Sequence, residues 1–512
     1  MDTNNIMIIA AIVLYLAFMI VVGIVSSRKN KNTDDFYLGG RKLGPLVTAM
    51  SAEASDMSGW LLMGLPGLAL MTGIAEAVWT AVGLAIGTYI NWLLVAKRIR
   101  VYSEKIDAVT VPEFFSKRFG DGRNVLSLIA ALIIIIFFIP YTASGFSACG
   151  KLFGSLFGMD YHLAMILSAA VIVLYCTLGG FLAASTTDLI QSIVMTIALI
   201  VIVGIGAVFV GGFGTVAENV KGLNGYLDVF KGFSVATGET GSYGALPVVS
   251  TMAWGLGYFG MPHILLRFMA IDDPAKLKTS RRIASIWVVI SMGVAILIGV
   301  VGYSLMQQGI VGPYASASAA ETIIVDISRF ISTHGWFPAF AAGIFISGIL
   351  ASTMSTADSQ LIAASSSATQ DILVNFGKAK ISEKTLMLVA RISVIVISLI
   401  AVFFAWNPNG SVFRIVSFAW AGFGAAFGPA VLCGLFWKKT NKWGVLAGMI
   451  AGGGMVFLWK FVIAKLGGVF SIYELLPAFL TALIVIVAVS LLTGAPEKEI
   501  SDTFDSVKAE IK

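Results

Sequence analysis

The sequence is poor in charged residues, in cysteine and in histidine. Only 12% of its 512 residues are Asp, Glu, Lys or Arg, about half the share that is usual in soluble globular proteins. The three cysteines, Cys149, Cys176 and Cys433, stand in or near apolar stretches without the spacing of a redox or zinc motif. The three histidines are also far apart. These absences argue against a soluble domain, a disulfide framework and a zinc site.

Long apolar runs are what the sequence has in abundance, and 58% of its residues are hydrophobic. A helix needs about 20 mostly apolar residues to cross a membrane. Thirteen such runs, numbered here as spans one to thirteen, lie at about 6–27, 44–70, 77–96, 124–148, 161–180, 188–212, 246–266, 283–306, 336–370, 392–406, 412–437, 443–464 and 474–494. The first is too long for a signal peptide and lacks a basic front and a cleavage site. We therefore predict an all-α, polytopic membrane protein with a single transmembrane domain over 1–512.

Basic residues concentrate in every second region between the spans. Those after spans one, three, seven, nine and eleven are Arg28, Lys29, Lys31, Arg41 and Lys42; Lys97, Arg98, Arg100, Lys105, Lys117, Arg118 and Arg123; Arg267, Lys276, Lys278, Arg281 and Arg282; Lys378, Lys380 and Lys384; and Lys438, Lys439 and Lys442. Because basic loops stay in the cytoplasm, the pattern predicts an N-terminus outside the cell membrane and a cytoplasmic tail at 495–512. The same bias explains the net charge of +6, which therefore does not suggest nucleic-acid binding.

Two spans carry polar or helix-breaking residues at membrane depth. Span two has Glu53 and Asp56 among small residues, and span seven has three glycines and Pro262 within 254–262. Backbone that leaves the helix in a membrane must be buried or face a cavity, and transporters use such breaks to bind ions and substrates. The glycines could instead serve only for close helix packing. We predict breaks in both spans, and hence a transporter whose site lies at the breaks.

The positions of the two breaks also predict a repeat. The two segments are five spans apart and therefore run in opposite directions, as an inverted repeat of five plus five helices requires. Repeat one would cover about 44–212 and repeat two about 246–437, with span one at 6–27 and the spans within 443–494 as additions.

Span nine adds hydroxyl groups, because six Ser and Thr residues crowd 347–359 around Asp358. Such hydroxyls often bond back to their own helix, but a sodium ion is a hard cation that prefers oxygen ligands. An ionisable group inside a span is functional by default, which makes Asp56 the strongest single candidate. Its alternative role is a structural anchor for the broken backbone. Glu53 could be solvated near the inner mouth, and Asp188 could simply favour the N-terminus of span six.

Two nucleotide-binding patterns lack the context that would give them meaning. Residues 255–260 fit GxGxxG, but they lie inside an apolar span and not between a strand and a helix. Residues 145–151 resemble a phosphate loop, but Leu152 replaces the Ser or Thr that would hold magnesium. Without an ATP motor, any transport should be driven by a gradient.

The same stretches resemble the sodium/solute symporter family. The resemblance is carried by 38–60, which includes Ala54-Ser55-Asp56-Met57-Ser58-Gly59-Trp60, by 254–267, and by Met354-Ser355-Thr356. It extends from about Phe36 to the end of span eleven, and thirteen helices is the usual number in the family. It implies the LeuT-type inverted-repeat fold, named after the bacterial leucine transporter. Through the proline-carrying members, it also implies import of L-proline coupled to sodium entry.

The resemblance further implies a role for each matching residue. Sodium would be bound by carbonyls of Ala54, Met57 and Ser352 and by hydroxyls of Ser355 and Thr356, with Asp56 and Asp188 supporting sodium coupling. Substrate would be bound by Ser58, Gly59, Tyr141, Trp254, Tyr258 and Pro262, and Arg41 would belong to the inner gate. Three positions depart from the family pattern, since members more often have a small residue at Glu53, a glutamine at Met261 and an alanine at Ser352. No cofactor other than the coupling ion, and no obligate protein partner, is implied.

Two other classes of function stay open. One is a sodium symporter of the same fold for another small solute, such as a sugar, vitamin or carboxylate. The other is a channel, because broken helices and hydroxyl-lined paths also occur in pores. An enzyme is disfavoured because the sequence shows no set of nucleophile and base and no metal-binding cluster.

Overall fold

The computed structural model describes residues 3–27, 37–178 and 180–511, and these residues are mostly helical. Within them, ten helices are long and apolar enough to cross a membrane: Thr3–Val25, Ile74–Lys105, Val125–Phe157, Phe181–Val210, Pro274–Gln307, Trp336–Phe376, Glu383–Phe404, Val412–Phe436, Lys442–Leu466 and Leu475–Leu492. They correspond to predicted spans one, three, four, six and eight to thirteen. The protein is therefore a multi-pass membrane protein. The loop residues Arg28, Lys29 and Lys31 lie outside the described residues.

The other three predicted spans coincide with shorter helices. Span five is the helix Tyr161–Leu178. Span two is divided into Pro45–Asp56 and Trp60–Thr72. Span seven is divided into Ala245–Met252, a 3-10 segment Ala253–Gly260, and Pro262–Ala270. The number of thirteen crossings stays a prediction.

Short elements lie between and after these helices. The helices are Val111–Arg118, Phe213–Lys221, Ala317–Ala320, Ile323–Ser332 and Lys498–Ile511. Single 3-10 turns occupy Gly39–Arg41, Ile463–Leu466 and Gly468–Ser471. The strands Lys231–Phe233 and Thr240–Ser242 pair antiparallel.

The break in span two follows from its polar residues. The first half begins with Pro45 in the first turn, where the missing N–H costs nothing. It ends at Asp56, because Met57 leaves the helical region with φ −76° and ψ 71°. The backbone N–H of Ser58 then donates to the carbonyl of Asp56, at 2.8 Å, instead of continuing the helix. The predicted break is confirmed at residues 57–59.

The break in span seven lies at Met261, directly before Pro262. Proline disfavours helical conformation in the residue before it, and Met261 is extended with φ −77° and ψ 111°. The residues 253–260 wind as a 3-10 helix. The predicted departure from a straight helix is thus confirmed, and its sharpest point is one residue before the proline.

The glycines of span seven also allow neighbouring helices to pack closely against it, which is the alternative role that the sequence left open. A Cβ atom on Gly255 would lie 2.2 Å from the carbonyl oxygen of Gly83, and one on Gly257 would lie 1.9 Å from Nε1 of Trp420. One on Gly260 would lie 2.3 Å from the carbonyl oxygen of Phe423. The three glycines therefore let span seven touch spans three and eleven at backbone distance, in addition to the break.

The two broken helices are the first helices of the two predicted repeats. Span nine packs against the first half of span two, and span eleven packs against the 3-10 segment of span seven. Span one packs on spans six and nine, whereas spans twelve and thirteen pack on each other and on span eleven. The added helices therefore lie around the two repeats, and the breaks lie between the repeats.

The C-terminal helix Lys498–Ile511 docks on the membrane domain, although the sequence suggested only a polar tail. Phe504 is buried, and the guanidinium of Arg118 lies over its ring, 5.1 Å from the ring centroid. Lys438 pairs with Asp505, and Lys105 pairs with Glu510 at 3.3 Å. Acidic residues of the helix thus meet basic residues that follow spans three and eleven. Burial also lowers the pKa of Arg118.

Phe504→Ala is expected to release this helix. Truncating a buried phenylalanine costs about 3–5 kcal/mol, which exceeds what exposed ion pairs supply. Trypsin should then cleave the purified protein after Lys498 and Lys508 much faster than it cleaves wild type. Phe470→Ala, at an exposed position, is the matched control. Equal cleavage rates in Phe504→Ala and wild type would show that the ion pairs alone hold the helix.

Candidate functional site

Asp56 lies where the two broken spans meet. Its side chain is fully buried, and its Oδ2 atom accepts a hydrogen bond from the Tyr258 hydroxyl at 2.8 Å. Its carbonyl accepts one from the Tyr141 hydroxyl at 3.1 Å. The other carboxylate oxygen, Oδ1, has no hydrogen-bond partner within the described residues. The first break is thus joined by hydrogen bonds to spans four and seven, and one oxygen of the Asp56 carboxylate is available to a ligand.

Oxygen atoms from spans two and nine meet at Ala54, two residues before Asp56. The Ser355 hydroxyl lies 2.8 Å from the carbonyl oxygen of Ala54 and 3.1 Å from that of Ser352. The Thr356 hydroxyl is buried without a hydrogen-bond partner in the described part of the chain. The N–H of Leu61, which would bond to the Met57 carbonyl in a continuous helix, donates to Ser58 instead, at 3.0 Å. Such a group of hydroxyl and carbonyl oxygens is the set of ligands that a hard cation requires.

Trp254 lies in a cluster of aromatic rings. Its ring centroid lies 6.0 Å from that of Trp60, 5.1 Å from that of Phe413 and 5.3 Å from that of Tyr473. The carbonyl of Trp254 accepts a hydrogen bond from Nε1 of Trp420 at 2.7 Å. The break of span two and the 3-10 segment of span seven therefore share one aromatic wall.

The remaining predicted substrate residues lie at the two breaks. Ser58 and Gly59 form the turn of span two, and the Ser58 hydroxyl accepts a 3.4 Å hydrogen bond from the N–H of Trp60. A Cβ atom on Gly59 would lie 3.0 Å from the side chain of Ala148, so span four approaches closely here. Pro262 is buried and begins the second half of span seven.

Asp188 forms a buried ion pair that the sequence did not indicate. Its Oδ2 atom lies 3.1 Å from the Arg267 guanidinium and accepts a hydrogen bond from the Ser51 hydroxyl at 2.6 Å. Arg267 also donates to Ser51 at 3.0 Å and to Ser359 at 2.5 Å. The cluster joins spans two, six, seven and nine, and it lies one turn from Ala54 along span two.

Two expectations about these residues are wrong. Asp188 is not at the N-terminus of span six, because the helix begins at Phe181 and Asp188 is in its third turn. Arg267, counted with the loop cations, is 1% exposed and lies inside the protein. Arg100 and Arg118 are also buried. Basic residues close to a span end can turn inward when a carboxylate pairs with them or a carbonyl oxygen accepts their hydrogen bond.

The contacts of Arg41 close the site at the end where span two begins. Its guanidinium donates to the carbonyls of Met269 and Ala108, both at 2.7 Å, and to the Ser103 hydroxyl at 3.1 Å. Beside it, Leu43 and Ile271 form a parallel β-bridge. Arg41 thus binds together the ends of spans two, three and seven.

Glu53 is fully buried, so a solvated position near the inner mouth is wrong. Its Oε1 atom accepts a hydrogen bond from Nε1 of Trp92 at 3.0 Å, and its Oε2 atom has no partner among the described residues. The ring of Trp92 packs against Phe268, with centroids 4.4 Å apart. Glu53 therefore contributes to the contact between spans two, three and seven.

A cavity of about 750 Å³ reaches the site from the side opposite Arg41. Ser250, Thr251 and Trp254 of span seven line it, together with Gly64 and Leu68 of span two. The site is therefore approached from the end where span two finishes and closed at the end where span two begins.

Three further residues belong to the site, although sequence reasoning did not select them. Trp60 donates a hydrogen bond from Nε1 to the Asp56 carbonyl at 3.1 Å, and Trp420 donates one from Nε1 to the Trp254 carbonyl. Asn91 donates to the carbonyl of Tyr258 at 3.0 Å. Asn91 could have been found, because a polar amide inside an apolar span needs a partner. The two tryptophans carry no such signal in the sequence.

Comparison with solved structures identifies the fold. A sodium-coupled sialic acid symporter in a substrate-bound, outward-open state superposes with a TM-score of 0.77 at 18% identity, covering 97% of this chain and 99% of that one. The structure of MhsT in complex with L-phenylalanine superposes with a TM-score of 0.55 at 13% identity, covering 87% of this chain and 99% of that one. The predicted LeuT-type fold with its five-plus-five inverted repeat is confirmed.

Sequence comparison gives closer relatives. The chain is 41% identical to the osmoregulated proline transporter OpuE of Bacillus subtilis, over 96% of both chains. It is 42% identical to the sodium/proline symporter of Escherichia coli, over 97% of this chain and 95% of that one. Residues 36–452 match the model of the sodium:solute symporter family. With this match over most of its length, and with broken spans and an inverted repeat in its structure, the chain belongs to the sodium:solute symporter family.

Proposed function

We propose that the protein imports L-proline together with sodium by alternating access. The observation that carries the proposal is the meeting of three elements at residues 54–56, namely the break of span two, the broken span seven at Asp56 and the hydroxyl groups of span nine at Ala54. Relatives that are about 41% identical over nearly the whole chain are named proline transporters or sodium/proline symporters. The solute and the ion are taken from those names together with the chemistry of the site.

Sodium fits the oxygen group between spans two and nine. Ala54, Met57 and Ser352 would offer carbonyls, and Ser355 and Thr356 would offer hydroxyls. The contacts of Ser355 with two of these carbonyls, and the unpartnered Thr356 hydroxyl, support this assignment. An ion there would hold the broken span two against span nine, so sodium and substrate should each improve the binding of the other. Asp56 and Asp188 would support this coupling from either side of the ion.

Proline fits the space beside the aromatic wall. It is a small zwitterion with an apolar ring, and aromatic faces can hold both the ring and, in part, the charged amine. Trp254, Tyr258 and Pro262 from span seven, Tyr141 from span four, and the turn at Ser58 and Gly59 would form the pocket. The half-helix termini at the breaks could receive the carboxylate.

The proposal includes a topology and a gate. The basic regions after every second span favour an N-terminus outside and a C-terminus in the cytoplasm, within one transmembrane domain. In that orientation the cavity of about 750 Å³ faces outside. The four contacts of Arg41 would then form an inner gate that must open before solute is released.

Uptake of labelled L-proline into membrane vesicles tests the proposal. We expect uphill accumulation when a sodium gradient is imposed, and loss of accumulation when choline replaces sodium at fixed pH. Unchanged uptake in choline would reject sodium coupling. Competition by unlabelled sugars, vitamins and carboxylates would identify a different solute, and currents far above carrier turnover without accumulation would indicate a channel.

Replacing Ser355 and Thr356 together by alanine is expected to raise the sodium concentration for half-maximal uptake by about tenfold or more, since two oxygen ligands to the cation are lost. The maximal rate at saturating sodium should change less. Ser347→Ala is the matched control, because its hydroxyl only bonds back to Gly343, at 2.8 Å. An unchanged sodium dependence in the double variant would place the ion elsewhere.

A further inference from the structure

The outer cavity contains charged residues that the proposed transport site does not use. Five charged side chains line it: Glu76, Glu321, Arg414, Lys460 and Glu474. In a cavity between membrane helices, a charge without a partner is costly. The charges that are not already paired within the protein are therefore the ones available to a ligand.

Glu321 is fully engaged within the protein. It is 1% exposed and binds the ammonium group of Lys151 at 2.5 Å. It also accepts hydrogen bonds from the Ser411 hydroxyl at 2.8 Å and from the N–H of Val412 at 3.2 Å. These contacts fasten the loop that precedes span nine to the beginning of span eleven.

Glu474 and Lys460 neutralise each other. Their side chains form an ion pair of 2.7 Å between the end of span twelve and the beginning of span thirteen. Lys460 also lies over the ring of Phe418, 5.0 Å from the centroid. This pair is a structural contact at the rim of the cavity.

Glu76 and Arg414 are the two charges that remain. Neither side chain has an ion-pair partner within 4.0 Å among residues 3–27, 37–178 and 180–511. Glu76 is half-buried in the first turn of span three, and Arg414 is exposed in the first turn of span eleven. Two opposite charges therefore face one cavity without touching each other.

Aromatic rings complete the cavity near these charges. Phe413 and Tyr473 line it, and both pack against Trp254 at the inner end of the cavity. A ligand that bridged Glu76 and Arg414 would have an apolar surface beside it. The cavity thus offers an anion, a cation and an apolar wall, which complement the amine, the carboxylate and the side chain of an amino acid.

We propose that this outer cavity is an entry site for the zwitterionic amino acid, in which Arg414 receives the carboxylate and Glu76 receives the amine. The guanidinium suits this role because it offers several donors in a fixed plane. The inference rests on the proposed function, since it assumes that an amino acid is the solute. The site would hold the solute beside Trp254 before the central pocket admits it. Since one of its charges is exposed, occupancy should be brief and sensitive to ionic strength.

Kinetics measured from the two faces of the membrane test the entry site. Arg414→Gln and Glu76→Gln are expected to raise the half-saturating proline concentration about tenfold in right-side-out vesicles, since a charge-assisted contact is lost. The maximal rate in right-side-out vesicles should stay as in wild type. In inside-out vesicles the half-saturating concentration should also stay as in wild type, whereas the maximal rate should fall by the same factor, because the transport equilibrium fixes how the ratios of maximal rate to half-saturating concentration on the two faces are related. Lys465→Gln, which removes an exposed outer charge away from the cavity, should change neither value. High salt should weaken uptake at low proline concentrations in wild type and have little further effect in the two variants.

The outcomes separate the entry site from the proposed function. Wild-type protein that takes up no proline in a sodium gradient would reject both. Normal wild-type uptake with unchanged half-saturation in both variants would reject the entry site alone. Equal increases on both faces would also reject it, because the two residues would then act on the central pocket.

Discussion

Asp56→Ala is expected to reduce sodium-driven proline uptake about a hundredfold or more, while the protein still reaches the membrane. The substitution removes the acceptor of the 2.8 Å hydrogen bond from Tyr258 and the carboxylate oxygen that has no other partner. A charge-assisted hydrogen bond inside a protein contributes more than a neutral one, and each 1.4 kcal/mol corresponds to a factor of ten. The substitution would therefore affect ion binding and the position of span seven together.

Three comparison variants separate these two effects. Tyr258→Phe removes only the hydrogen bond, and Asp56→Asn keeps an acceptor oxygen but removes the charge. If charge is the essential property, Asp56→Asn should be nearly as inactive as Asp56→Ala, whereas Tyr258→Phe should retain part of its activity. Asp160→Ala, at an exposed position, controls for the loss of an acid in general. Near-normal kinetics in Asp56→Ala would remove Asp56 from the site.

Asp188→Ala is expected to produce a large loss of stability in the region where spans two, six, seven and nine meet. It would leave the guanidinium of Arg267, which is 1% exposed, without its carboxylate. Removing one partner of a buried ion pair typically costs about 3–5 kcal/mol, because the other charge stays buried. The pair joins spans six and seven, and its Ser51 and Ser359 contacts extend to spans two and nine. The loss should therefore loosen the packing around the ion site as well.

Thermal unfolding of the purified protein in detergent measures this effect. We expect a clear fall in the midpoint for Asp188→Ala and partial recovery in the double variant Asp188→Asn, Arg267→Gln, which removes both charges of the pair. Breaking the exposed pair of Asp228 and Lys231, at 3.6 Å, should have little effect. A midpoint for Asp188→Ala equal to that of wild type would mean that Arg267 finds another acceptor or that water enters the cluster.

The placement of the breaks shows how far local chemistry determines this fold. Pro262 restricts the residue before it, and the Asp56 to Gly59 segment is rich in residues that compete with a helix. These are properties of a few neighbouring residues, so they could be predicted from the sequence, and the structure has both breaks. The hydroxyls at 352–356 were likewise visible, because polar groups are rare within an apolar run.

Partner choice was visible only in the structure. The sequence alone allows water around Glu53 and a helix terminus for Asp188, because it shows only their immediate neighbours. In the structure Glu53 meets Trp92, and Asp188 meets Arg267, 79 residues further along the chain. Arg41 was connected with a gate by resemblance alone, and only the structure supplies the carbonyls of Ala108 and Met269 that it binds.

The sequence by itself determined the class of the protein, the positions of its apolar helices and the two breaks, because hydropathy and the backbone preferences of proline and glycine act over a few residues. Tertiary structure decided which charges are paired, which oxygen atoms meet between spans two and nine, and which two opposite charges line the cavity beside Trp254 without forming an ion pair within the described residues. Those features depend on groups brought together from distant parts of the chain. A buried charge is stable only with a partner, and no local pattern states which distant residue that partner will be.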